Sequence, residues 1–355
     1  MNSEQSEKYA RICRLLDEKK LDAIVLRRQA NVGWAIGGRA NIPTTVELSC
    51  LDVVVTREGV TIVTNVIEAP RLVAEELNEI GRVIAVPWWQ SREAQLPHGA
   101  HVGVDAPDSD CLNVGPEIEN LRRALNDEEV ERLRSISTDS AQAMYEALRT
   151  LTGRESEVEV AGAIAGQLWA RNLEPVVLLV AGQDRAPQFR HALPTISPIG
   201  NRAVASICAR RKGLIASATR IVTFGELSDT EVNQYQRLLE VEAAFLDQTT
   251  VGNTFGEALI EAVSSYEDQG FDANEWHFHH QGGSTGYLPR DFPATPQNST
   301  PIRPGNVIAW NPTAAGWKVE DTLIVTDSGF EILTIEDNWP IQVVHERKRP
   351  ALLRH

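Results

Sequence analysis

The chain has 355 residues, of which 42% are apolar and 23% charged, and its formal charge is −15. Those fractions are typical of an ordinary globular protein, and the length suggests two domains. The acidic surplus repels phosphate backbones and anionic lipid, so nucleic-acid and membrane-surface partners are not expected. No apolar run approaches the roughly 18 residues needed to span a bilayer, and the charged start lacks a signal-peptide core. The four cysteines, Cys13, Cys50, Cys111 and Cys208, are scattered without a paired spacing. A disulfide framework or structural zinc site is therefore not expected, and a reducing cytoplasm fits best.

In chain order, Glu7 to Lys19 reads as an amphipathic helix and 21–26 as a short buried strand. Leu51 to Thr56 and Val60 to Val63 flank Arg57-Glu58-Gly59, a hairpin signal. Helical spacing returns over 65–77, followed by short strands at 83–86 and 101–104. This is an α/β unit, with a domain boundary placed at 122/123. Asn126-Asp127-Glu128-Glu129 then starts a helix running towards Leu151, and Ser156-Glu157-Val158-Glu159 starts another. Val176 to Val180, Val204 to Ala209 and Gly213 to Phe224 read as strands. Two further helices follow, 230–249 and 254–267. The remainder reads as strands at 274–281, 307–311, 322–326 and 330–333. The second part, 123–355, thus repeats helix-helix-strands twice and is expected to form two similar halves.

Four patches of the second part carry the types of side chain that chemistry needs. His191, beside the turn at Leu193-Pro194, suits general acid/base work, although a loop histidine can equally be only hydrogen-bonded. Trp276-His277-Phe278-His279-His280-Gln281-Gly282-Gly283 leads into Tyr287 and Arg290. Its histidines suit proton transfer or metal binding, and its glycines let the backbone approach a ligand closely. The same density of glycine also suits a plain tight turn. Asn311 before Pro312 aims an amide from a turn. Lys318-Val319-Glu320-Asp321-Thr322 brings carboxylates into an apolar strand, which costs free energy unless they are paired or used.

The order of these patches resembles the creatinase/prolidase/aminopeptidase P family, the pita-bread fold. Residues 126–335 carry the resemblance, most specifically through Val319-Glu320-Asp321-Thr322-Leu323-Ile324-Val325-Thr326-Asp327-Ser328-Gly329. It implies an α/β (α+β) chain: a smaller creatinase-type N-terminal domain, 1–122, and a pita-bread catalytic domain, 123–355. Metallopeptidases of this family hold two divalent ions with two Asp, one His and two Glu. By resemblance the two Asp positions are Ser206 and Ser217, the His is His280, and the Glu positions are Asn311 and Glu320. Two hydroxyls and an amide offer no charge to offset a pair of divalent ions, so neither metal nor cofactor is expected.

The metal-free relative, creatinase, implies a hydrolase that cleaves a C–N bond of a small polar, zwitterionic substrate. In that reading His191 is the acid/base and Glu320 orients a cationic substrate nitrogen, with His280 beside them. Arg290 clamps a substrate carboxylate, while Tyr287, Asn311, Ser206 and Ser217 add neutral hydrogen bonds. Peptidase activity is expected to be lost with the metals. Two alternatives stand beside it: an Xaa-Pro metallopeptidase with an unusual metal site, and a non-catalytic module that binds a peptide or partner. The resemblance further implies a homodimer in which Arg39 or Trp88-Trp89 reaches the neighbouring site.

Overall fold

The structure is a computed structural model that describes residues 1–43 and 45–355. It divides into two units: Met1–Glu129 with Lys212–Leu214, and Val130–Arg211 with Ile215–His355. The boundary falls after Glu129 rather than at 122/123. The reason is local: Asn126 and Glu129 cap the helix Asp127–Leu148 reciprocally, and Glu129 pairs at 2.9 Å with the buried Lys8 of the first unit.

The first unit is built on one six-stranded sheet. Its order is Arg82–Val86, Gly59–Asn65, Leu48–Thr56, Ala23–Arg28, Val102–Val104 and Leu112–Asn113. The hairpin expected around Gly59 is present, and Gly59 takes φ +143°, which favours glycine there. The helix expected over 65–77 is shorter, Ala69–Glu75. Asn65 Oδ1 accepts from the backbone N–H groups of Ile67 and Glu68, which holds those residues in a turn instead.

The second unit contains a four-stranded and a five-stranded sheet. In the first, Leu214–Thr223 lies beside Arg202–Arg211, which pairs with Glu174–Gly182. The second runs Phe292–Pro293, Gly282–Thr285, Val307–Trp310, Asp321–Thr326 and Gly329–Ile332. These helices open at capping boxes: Ser156 precedes Glu157–Trp169, Ser228 precedes Asp229–Asp247 and Thr254 precedes Phe255–Val263. The sheets join at an antiparallel bridge between Thr219 and Glu320, where the Thr219 N–H donates to the Glu320 carbonyl at 2.9 Å. Thr322 and Ser217 add a reciprocal pair at 2.7 and 2.9 Å. Behind the bridge, Asp321 receives Arg220 at 2.8 Å and Arg349 at 2.6 Å, all buried.

One expected strand is absent. Residues 274–281 form a 3-10 turn, Glu275–Phe278, and the strand begins only at Gly282. The glycines explain the shift: a Cβ on Gly282 would lie 2.3 Å from the Ala309 carbonyl oxygen, and one on Gly283 2.4 Å from that of Phe292. Both also take positive φ, +113° and +143°. Only glycine lets the strand pack this closely, so pairing starts where the glycines start. Gly282→Ala is therefore expected to destabilise the second unit by about 1–3 kcal/mol or more. Chemical denaturation of the two proteins checks this, and an unchanged midpoint would refute it.

Candidate active site

A cavity of about 330 Å³ opens between the two sheets of the second unit. His191, Ser206, Cys208, His280, Arg290, Asn311, Lys318 and Glu320 line it, with Val177, Leu179, Leu193 and Pro289 giving it an apolar side. That size and mixture suit a small molecule. Strand alternation supplies the hydroxyls: Ser206 Oγ lies 2.7 Å from Thr219 Oγ1, which donates to Glu320 Oε2 at 3.1 Å. The Thr219–Glu320 bridge therefore carries the carboxylate across to the other sheet's serine.

Glu320 is the one carboxylate lining the cavity among the described residues, and its oxygens are already engaged. Lys318 Nζ approaches Oε2 at 2.9 Å; Arg290 Nη2 and Asn311 Nδ2 each approach Oε1 at 3.4 Å. Burial by itself would raise the Glu320 pKa, but Lys318 and then Arg290 hold it below the ordinary carboxylate value. Two cations facing one anion leave the polar end of the cavity with an excess of positive charge.

Three histidines cluster here: His191 and His280 line the cavity, and His279 packs against both. His279 Nε2 lies 3.0 Å from His191 Nε2, and the rings of His279 and His280 stack with centroids 4.4 Å apart. Burial followed by the charge of Lys318 pushes His191 below its ordinary pKa, although it remains accessible to solvent. His280 is pushed down to about 4 by burial, Arg290 and Lys318, and His279 is lowered still more strongly, chiefly by burial. All three are neutral at physiological pH. Cys208 is no nucleophile, because burial pushes its thiol up to about 11.

The structure brings together His191, His280, Arg290, Asn311, Ser206 and Glu320, and it leaves the other candidates elsewhere. Ser217 is fully buried with its hydroxyl donated to Cys208 Sγ at 3.3 Å, and Cys208 lines the cavity instead. Tyr287 also stands off the cavity, its hydroxyl accepting from Arg132 at 3.1 Å. Arg39 belongs to the first unit, where its backbone N–H donates to Glu76 at 2.7 Å. Trp88 and Trp89 are exposed in that unit, edge to face. Two expected roles change. Arg290 Nη1 donates to the carbonyls of Gly283 and Ala309 at 3.0 and 2.8 Å, so it is anchored to the scaffold rather than poised as a bidentate clamp. Glu320 faces protein cations and does not wait for a substrate cation.

Lys318 and Thr219 are not among the expected site residues, and His279 is expected only as one of the histidines of its stretch, without a role of its own. The sequence does hold a signal for Lys318, which stands two residues before Glu320 at the spacing that puts both on one face of an extended chain. His279 was hidden by its neighbour, since nothing in His-His tells which ring turns towards His191.

A family model described as metallopeptidase family M24 matches residues 131–327. The chain belongs to this family. An Xaa-Pro dipeptidase of Pyrococcus horikoshii is 20% identical over 349 residues, covering 93% of this chain and 97% of the relative. An Xaa-Pro dipeptidase of Lactobacillus helveticus is 24% identical over 265 residues, 69% of each chain. Among solved structures, the prolidase from Pyrococcus horikoshii superposes with a TM-score of 0.79 at 19% identity, covering 93% of this chain and 99% of that one. The fold is accordingly the mixed α/β pita-bread architecture of the prolidases. No helix among the described residues is long and apolar enough to cross a membrane.

The family name implies metal, and the cavity offers a direct test of fit. A pair of divalent ions requires several anionic oxygens. Here one carboxylate is present, and Lys318 and Arg290 already balance it. Placing two further divalent ions against those two cations would add repulsion without ligands to offset it. The residues present do not fit a carboxylate-held dinuclear centre.

Proposed function

We propose that this M24 protein hydrolyses an amide-type C–N bond of a small substrate bearing a carboxylate, without the dinuclear centre of its metallopeptidase relatives. The observation that carries this reading is the accessible, neutral His191 in the same cavity as the Glu320–Lys318–Arg290 group. The positive excess of that group seats the substrate carboxylate, chiefly on Lys318, while Glu320 orients the two cations. Asn311 Oδ1, buried and without a hydrogen-bond partner, accepts a substrate N–H.

In the base-competent tautomer His191 donates from Nε2 to His279, leaving Nδ1 bare. Nδ1 takes a proton from water as the water oxygen bonds to the substrate carbonyl carbon. The same nitrogen returns that proton to the departing nitrogen as the C–N bond breaks, yielding a carboxylic acid and an amine. Positioning accounts for much of the rate, since the apolar side fixes the substrate between His191 and Lys318.

The names of the relatives support a dipeptide as the substrate class, and they weigh against the expectation that peptidase activity is lost. They also favour a second reading, an Xaa-Pro dipeptidase that does recruit metal. One experiment separates the two readings: proline dipeptides, N-acyl amino acids and guanidino acids are assayed with and without chelator, alongside elemental analysis of the purified protein. We expect turnover that survives chelator. Turnover lost in chelator and restored with about two ions per chain would overturn the metal-independent reading and leave the metallo-dipeptidase.

A further inference from the structure

We propose that His191, His279 and His280 form a mononuclear site for a borderline transition-metal ion such as Zn²⁺, and that the ion switches the enzyme off. This site shares no carboxylate position with the family's dinuclear centre. The three residues each offer a ring nitrogen, and these atoms lie within 4.8 Å of one another. Two of them, the Nε2 atoms of His191 and His279, are 3.0 Å apart. Ligands on a tetrahedral zinc at Zn–N distances of about 2.0–2.1 Å stand roughly 3.4 Å from each other. The pair is therefore within a few tenths of an ångström of ligand spacing before any ion binds.

A second observation points the same way. His279 is only 7% exposed, and its Nδ1 is buried without a hydrogen-bond partner, as is Nδ1 of His280. Buried imidazoles normally have both nitrogens engaged, so two orphaned ones mark a polar cluster whose bonding is incomplete. An ion bonded to one ring nitrogen of each histidine would supply the strong bond that the cluster lacks.

The chemistry of the donors sets both selectivity and strength. Imidazole without carboxylate selects zinc, copper or nickel over magnesium, calcium or manganese. Lys318 and Arg290 line the same cavity and oppose a divalent ion, so occupancy is reversible. The inhibitory consequence rests on the proposed role of His191; the binding itself does not. With the ion on Nε2, the His191 proton moves to Nδ1, and the nitrogen that accepts a proton from water is no longer bare. No electron is transferred, and the net proton count of His191 is unchanged.

The test uses the full chain after chelator treatment. Equilibrium dialysis against Zn²⁺ is expected to give one ion per chain, and Cu²⁺-loaded protein should show electron paramagnetic resonance splitting from several imidazole nitrogens. His279→Gln and, as a second variant, His280→Gln should each weaken zinc binding at least tenfold while circular dichroism stays unchanged. Magnesium should neither bind nor compete. Absence of bound zinc, two ions per chain, or a copper spectrum showing oxygen ligands alone would overturn the site. Zinc that binds with this stoichiometry but leaves turnover untouched would overturn the inhibitory role and, with it, His191 as the base. Zinc binding in a protein that hydrolyses none of the tested amides would leave the site standing and count only against the proposed hydrolysis.

Discussion

His191→Ala is expected to lower kcat by roughly 10²- to 10⁴-fold, the usual contribution of a positioned acid/base group. His191 is accessible to solvent, but its loss leaves the buried His279 Nε2 without its partner, so the substitution should cost about 1–3 kcal/mol of folding stability. The pH profile gives an independent check. Burial and Lys318 lower the His191 pKa from its ordinary 6.5, so the neutral, base-competent ring persists below that pH. Activity should thus hold through pH 6.5 and fall only as pH drops through the lowered value. Full activity in the alanine variant, or an acid limb centred above pH 6.5, would exclude His191 as the base.

Asp321→Ala is expected to produce the largest loss of stability. It would strand the guanidinium groups of Arg220 and Arg349, whose side chains are 2% and 1% exposed, with one of their anions gone. Glu242 remains on Arg349 at 2.7 Å, whereas Arg220 would keep only carbonyl acceptors. Breaking a buried pair in this way costs about 3–5 kcal/mol. In a unit of this size that corresponds to a fall in Tm of roughly 6–20 °C. Burial would raise the Asp321 pKa, but Arg220 and Arg349 hold it below its ordinary value. The contribution is therefore present above the ordinary carboxylate pKa and disappears as pH falls through the lowered native one. A loss below 1 kcal/mol at neutral pH would show that the network relaxes around the missing anion.

Local chemistry makes most of the fold legible in the sequence. Capping pairs such as Asn126 with Glu129 and Thr254 with Glu257 mark helix starts because the bonds that form them span only three residues. The strand at 282–285 was misplaced because its start depends on the backbones of Ala309 and Phe292, far away in the chain. The site divides along the same line. His191, Asn311 and Glu320 stand out by residue type and setting, and they do meet at one cavity. Lys318 and Thr219 gain their meaning only through contact with Glu320, Thr219 across about a hundred residues of chain. Ser217 and Tyr287 show the converse, since side chains of suitable chemistry can be turned to Cys208 and Arg132 by packing that no spacing reveals.

The bridge between Thr219 and Glu320 has a further consequence. It ties the floor of the cavity into both sheets, with the Ser217–Thr322 pair and the Asp321 network directly behind it. Motion of that floor would require many bonds to open together, so it belongs to the most slowly exchanging part of the unit. The segment carrying His191 is different in kind: Phe189 and Leu193 are largely exposed, and few backbone bonds hold it. Substitutions in the His191 segment therefore put folding at less risk than substitutions in the floor of the cavity.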